Sequence, residues 1–82
     1  MFTVYLLYSK DYDKIYIGFT SDLIKRLLSN YELGKKGWTI KFRPWQLIYK
    51  EVYQAKSDAM KREKELKTAQ GRNFIWSIIK AM

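Results

Sequence analysis

The sequence predicts an α+β fold, a three-stranded antiparallel sheet flanked by about three helices in the order β-β-α-β-α-α. Three observations carry this. Two short runs of aromatic and β-branched residues stand close together near the start, a third such run follows Pro44, and apolar residues elsewhere recur at helical spacing. With 82 residues, 48% of them hydrophobic, the chain has room for one modest core, so residues 1–82 are expected to form a single domain.

Phe2 to Tyr8 is the first strand and Ile15 to Phe19 the second, joined across the polar Lys10-Asp11-Tyr12-Asp13 segment as a hairpin. Pairing Ser9 with Lys14 sets Leu7 opposite Tyr16 and Tyr5 opposite Gly18. In that register both tyrosines and the glycine share one face of the sheet. Thr20-Ser21-Asp22 is a cap, after which Leu23, Ile24, Leu27, Leu28 and Tyr31 mark a helix running to about Leu33. Its apolar stripe should pack on the sheet, with Arg26 and Asn30 together on a flank one turn apart.

Gly34 to Pro44 reads as a loop in which Lys35, Lys36, Trp38, Lys41, Phe42 and Arg43 alternate basic and aromatic character. Such a loop can grip a nucleic-acid backbone and stack on bases, or its aromatics can simply cover the sheet edge while the lysines stay solvated. Trp45 to Tyr53 is the third strand, and Leu47, Ile48, Tyr49, Val52 and Tyr53 suggest cover on both faces. Ser57-Asp58 reads as the cap of a second helix that Gly71 ends, and a third helix follows from Asn73 with Phe74, Ile75, Ile78, Ile79 and Met82 as its stripe. Trp76 falls off that stripe.

Along the second helix Ala59, Met60, Glu63 and Leu66 lie at i, i+1, i+4 and i+7, which puts a carboxylate where an apolar residue is expected. Burying it costs several kcal/mol unless a cation or hydrogen-bond donors meet it. Three arrangements satisfy that requirement: an ion pair with Arg26 or a nearby lysine, a helix rotated enough to expose Glu63, or a magnesium ion. Magnesium typically takes only one or two protein carboxylates, with water and substrate phosphate completing its shell.

Sixteen basic residues against eight acidic ones give a net charge of +8, which favours phosphate-rich partners, nucleic acid above all. Cysteine and histidine are both absent, so disulfides, cysteine-ligated zinc and any thiolate or imidazole mechanism are excluded. A metal would be held by oxygen. The opening Met1-Phe2-Thr3-Val4-Tyr5 runs straight into a strand without a cationic leader, and no apolar run approaches the roughly 20 residues of a membrane span. A cytoplasmic location and no membrane partner are therefore expected.

The ordered set Val4-Tyr5-Leu6-Leu7, Tyr16-Ile17-Gly18, Asp22-Leu23 with Arg26, Arg62-Glu63 and Leu66-Lys67 resembles the GIY-YIG nuclease family along essentially the whole chain. More narrowly, Phe42-Arg43-Pro44-Trp45 and Gly71-Arg72-Asn73-Phe74-Ile75-Trp76 are similar to the small stand-alone bacterial members known as excinuclease-subunit-C-like or endonuclease-like proteins. The resemblance implies magnesium- or manganese-assisted hydrolysis of a DNA phosphodiester. It matches Tyr5 and Tyr16 to the motif tyrosines that handle water, Arg26 to the arginine that steadies phosphate, Glu63 to the metal ligand and Gly18 to the motif glycine.

This chain departs from the family pattern in places. Val4 and Leu6 stand where the first motif has glycine and tyrosine, and Asn30 stands where many members carry histidine or tyrosine. Asparagine orients a water but does not take its proton. Two readings follow. One is a metal-dependent DNA endonuclease, structure-directed or weakly sequence-specific, acting in DNA repair or processing and using Tyr5, Tyr16, Arg26, Asn30 and Glu63. The other is a catalytically weak or inactive nucleic-acid-binding module on the same scaffold. Neither implies a small-molecule substrate, and cutting both strands of a duplex would favour a homodimer.

Overall fold

In a computed structural model the described residues are 1–28 and 45–82, with Leu27 and Leu28 described for their backbone alone. They form β1 (Phe2–Ser9), β2 (Lys14–Thr20), α1 (Leu23–Leu28), β3 (Gln46–Tyr53), α2 (Lys56–Leu66) and α3 (Ala69–Lys80). The three strands make one antiparallel sheet in the order β2-β1-β3. No helix among the described residues is long and apolar enough to cross a membrane.

β1 is central, which explains its unbroken apolar run: Val4, Tyr5, Leu6 and Leu7 are all buried, alternately on the two faces. Hairpin pairing follows the expected register, with Ser9 opposite Lys14, Leu7 opposite Tyr16 and Tyr5 opposite Gly18. The turn closes through Asp13, whose φ of 54° is left-handed, and its carboxylate accepts a 2.8 Å hydrogen bond from the Tyr8 hydroxyl. β3, expected to be covered on both faces, is instead an edge strand in which Lys50 is exposed and Val52 keeps 54% of its surface. Its apolar residues divide between the two faces, Ile48, Tyr49 and Tyr53 packing on one and Leu47 on the other, while its second half turns Lys50 and Val52 outward.

Each face of the sheet carries its own core. On one, Val4, Leu6 and Ile17 meet Ala59 and Leu66 of α2 and Ile75 of α3. On the other, Tyr5 and Leu7 meet Trp45, with Tyr16, Leu23 and Leu47 packed around them. Ile24, placed by its spacing on the inward stripe of α1, is 74% exposed, so Leu23 alone anchors the start of that helix. Asp22 caps it as expected, its Oδ1 accepting from the Lys25 amide at 3.1 Å. The run to Leu33 lies outside the described residues.

Three helix boundaries differ from expectation, the start and end of α2 and the start of α3, which is at Ala69 rather than Asn73. α2 begins at Lys56 after Ala55, with no side-chain cap, so Ser57 and Asp58 occupy its first turn. α2 also ends at Leu66 rather than at Gly71, because Thr68 caps α3 by accepting from the Gly71 amide at 3.2 Å. Gly71 is thus inside α3, pressed on the end of α2: an added Cβ would sit 2.3 Å from the Glu65 carbonyl oxygen and 2.4 Å from the Leu66 Cα. Close approach, not chain termination, selects the glycine. Trp76 packs edge-on against Tyr8 at 6.2 Å between ring centroids.

α2 is tied to β3 by a cluster centred on Glu51. Arg62 grips its carboxylate with Nε and a terminal nitrogen at 2.9 and 3.1 Å, and the hydroxyls of Tyr49 and Tyr53 donate to it. Burial pushes the Glu51 pKa up, but the bonds from Arg62, Tyr49 and Tyr53 outweigh it and hold the group below its usual 4.5. Tyr53 is pushed up to about 12, chiefly by its bond to Glu51. The Arg62 guanidinium also lies 5.8 Å over the Phe74 ring, which links the clamp to α3.

Two outcomes are expected. Gly71→Ala should lower stability by about 1–3 kcal/mol in urea unfolding, although glycine-to-alanine in an open helix raises it; a stabilised variant would contradict the close packing. Glu51→Gln should cost about 1–2 kcal/mol at neutral pH, since the pair is only partly buried. Because the folded-state pKa of Glu51 is depressed, its contribution is present above pH 4.5 and lost as pH falls through the folded value. Wild type and variant should therefore converge in acid, as read from their urea midpoints.

Candidate functional site

β2 is the other edge of the sheet, and a cleft of about 410 Å³ lies beside it. Four separate elements contribute the side chains that the sequence singled out: Tyr5 from β1, Tyr16 and Gly18 from β2, Arg26 from α1 and Glu63 from α2. Chain order alone spreads these residues over most of the sequence. The sheet and the two flanking helices bring them to one wall-lined depression.

Gly18 makes that convergence sterically feasible. A Cβ there would stand 2.7 Å from the Tyr5 hydroxyl oxygen, 2.9 Å from Tyr5 Cζ and 3.2 Å from a Tyr16 ring carbon. Tyr5 therefore lies across β2 over the bare glycine, and its hydroxyl reaches from the central strand toward the cleft. The two tyrosine rings are 6.1 Å apart and tilted by 31°, and Tyr16 meets Trp45 edge-on at 6.3 Å. Trp45 is buried, so it backs Tyr16 from behind the sheet face.

Burial is the main cause that drives the Tyr5 pKa far above the ordinary tyrosine range, with Tyr16 adding to it by proximity and by a hydrogen bond. Arg26 pulls it down and Glu63 pushes it up, so both charges act on this hydroxyl. A phenol held so high stays protonated at neutral pH and works as a hydrogen-bond donor. Arg26 itself is exposed.

The Glu63 side chain retains 19% of its surface and pairs with Lys67, whose Nζ lies 3.2 Å from Oε1. One expected alternative, an ion pair with a nearby lysine, is thus realised alongside the placement in the cleft. Among the described residues no three acidic side chains cluster, and Glu63 is the one carboxylate lining this depression. A single half-shielded carboxylate at a solvent-open wall fits an ion that keeps most of its waters and takes further oxygens from substrate.

The model of the GIY-YIG catalytic domain matches residues 1–75. The chain belongs to the GIY-YIG family. A UPF0213 protein of Staphylococcus saprophyticus is 41% identical over 66 residues, covering 79% of this chain and 78% of that protein. One from Staphylococcus haemolyticus is 38% identical over the same shares. The solution NMR structure of the UPF0213 protein BH0048 from Bacillus halodurans superposes with a TM-score of 0.56 at 26% identity, over 95% of this chain and 85% of that one. GIY-YIG domains are nuclease domains, which implies a nucleic-acid substrate, and they generally work with divalent metal ions.

Of the GIY-YIG site residues expected from the sequence, Tyr5, Tyr16, Gly18, Arg26 and Glu63 come together. Asn30 and the loop residues Lys35, Lys36, Trp38, Lys41 and Arg43 lie outside the described residues. Lys56 and Lys67 line the cleft too and were not singled out for it. Their signal was present, since positions 56, 63 and 67 fall at i, i+7 and i+11 on one helix face. Trp45 was read only as the start of a strand, and nothing in its neighbours foretold that it would back Tyr16.

Gly18→Ala should force the Tyr5 ring out of its place, because the ring has no room beside a Cβ. In NMR of tyrosine labelled at ¹³Cζ, the Tyr5 signal of the wild type should stay protonated well beyond the pH at which exposed tyrosines ionise. The variant should ionise at lower pH as burial is lost. An unchanged titration would show that Gly18 does not hold Tyr5 in its buried pose.

Proposed function

We propose that this chain is a divalent-metal-dependent DNA endonuclease, working as one unit over residues 1–82, in DNA repair or processing. The observation that carries the reading is the meeting of Tyr5, Tyr16, Arg26 and Glu63 at one cleft beside the β2 edge of the sheet. Each residue then has a chemical task set by its surroundings.

Arg26 presents a planar, always-charged fork to the phosphate and stabilises the negative charge that grows on its oxygens during attack. Tyr5, kept protonated by burial, donates toward Tyr16, and the two hydroxyls together position the attacking water. Glu63 would hold magnesium or manganese, which when bound polarises a phosphate oxygen and makes a nearby water more acidic. Lys67 holds that carboxylate in place when no ion does.

A second reading, a nucleic-acid-binding module that cuts poorly or not at all, draws on that same Lys67 contact, which supplies Glu63 with a cation from the chain itself. Incubation with nicked, branched, single-stranded and plain duplex DNA in the presence of magnesium or manganese separates the two. The endonuclease reading expects cleavage of at least one substrate and a fall of about 10²–10³-fold in rate for Arg26→Ala, the usual effect of losing one charge-stabilising donor. Glu63→Ala should lose at least as much. DNA bound without cleavage of any substrate would establish the second reading, and undiminished cleavage by Glu63→Ala would remove the metal assignment.

A further inference from the structure

The depression beside β2 extends past the residues of the proposed reaction. Beyond Arg26 it continues into a hollow framed by Thr20, Ser21, Asp22 and Lys25. In the other direction it continues past Tyr16 into a hollow framed by Ile15, Ile17, Lys67 and Arg72. Together the three hollows are lined by the consecutive residues Ile15 to Thr20. Side chains alternate between sheet faces along a strand, so a feature on one face would be lined by every second residue. Consecutive lining means that the depression follows the strand's outer edge, which no other described strand pairs.

Charge along this edge is one-sided. Lys25 and Arg26 stand at one end, Lys67 and Arg72 at the other, and Lys56 on the wall between. The two carboxylates present are already engaged: Asp22 accepts from the Lys25 amide at 3.1 Å, and Glu63 pairs with Lys67.

We infer that the outer edge of β2 seats the nucleic-acid backbone: one strand lies along it, its phosphates meeting Lys25 and Arg26 at one end and Lys67 and Arg72 at the other. This rests on the nuclease reading and adds a path and new contact residues to it. Seven strand residues rise about 23 Å at 3.3 Å each, several times the spacing of neighbouring phosphates along one strand. The cations at the two ends are therefore far enough apart to hold phosphates on both sides of a bond over Tyr16. A peptide adding a fourth strand is the other occupant that such an edge admits, but cations at both ends favour a polyanion.

Fluorescence-anisotropy titration of a labelled duplex with the whole chain, in EDTA to prevent cutting and over a range of salt, tests this. Each contact neutralised should remove about 0.9 from the slope of log affinity against log salt, and weaken binding by up to about eightfold near ~0.1 M salt. Arg72→Gln and Lys25→Gln should each do so, and the double variant should do so twice over. Lys80→Gln, at the exposed end of α3, should change neither quantity. Circular dichroism of each variant verifies the fold. If the wild type binds no DNA, the nuclease reading fails together with the path. If it binds with slopes unaltered in Arg72→Gln and Lys25→Gln, the path alone is overturned and the edge is left as a surface for strand pairing.

Discussion

Tyr5 lies over Gly18 with no room for a Cβ between them, and the arrangement of the site hangs on that contact. A tyrosine in the central strand of a three-stranded sheet is, by default, a core residue far from any edge. Here the neighbouring strand is bare at the facing position, so the ring lies across it and the hydroxyl arrives at the cleft while the ring stays buried. Burial in turn holds the phenol protonated. Packing and chemistry are thus fixed by one steric condition: a side chain at position 18 would remove the reach, and a shallower Tyr5 would lose its high pKa.

The second requirement is the rotation of α2. Residues 62 and 63 are about 100° apart around a helix, so they look to different neighbours. Arg62 faces β3 and is gripped by Glu51, while Glu63 faces the cleft beside β2. The clamp at one sheet edge therefore sets where the carboxylate points at the other. Gly71 contributes to the same end by letting α3 press on the last turn of α2, where Leu66 is fully buried.

Electrostatics complete the picture. A small chain of net charge +8 attracts polyanions as a whole, yet attraction of that kind carries no address. Lys67 paired with Glu63, and Lys56 and Arg26 lining the same cleft, concentrate that general charge around one carboxylate. The exposed Ile24 and Val52 show that the apolar budget of so short a chain is spent on two thin cores, one on each face of the sheet.

The sequence by itself determined the element order and the hairpin register, because those signals are local, and its ordered motifs pointed to the family. Alternation and a four-residue turn set Tyr5 opposite Gly18. What it could not decide were features that depend on a partner distant in the chain. Val52 reads as buried from its type, but being on an edge is a property of strand order. Gly71 reads as a stop, but only the approach of α3 to α2 shows it to be a contact. Glu63 reads as a misfit in an apolar stripe, and both the lysine that holds it and the cleft it lines follow from how the helix seats on the sheet. Local propensity is encoded in neighbours along the chain, whereas a site is made of neighbours in space.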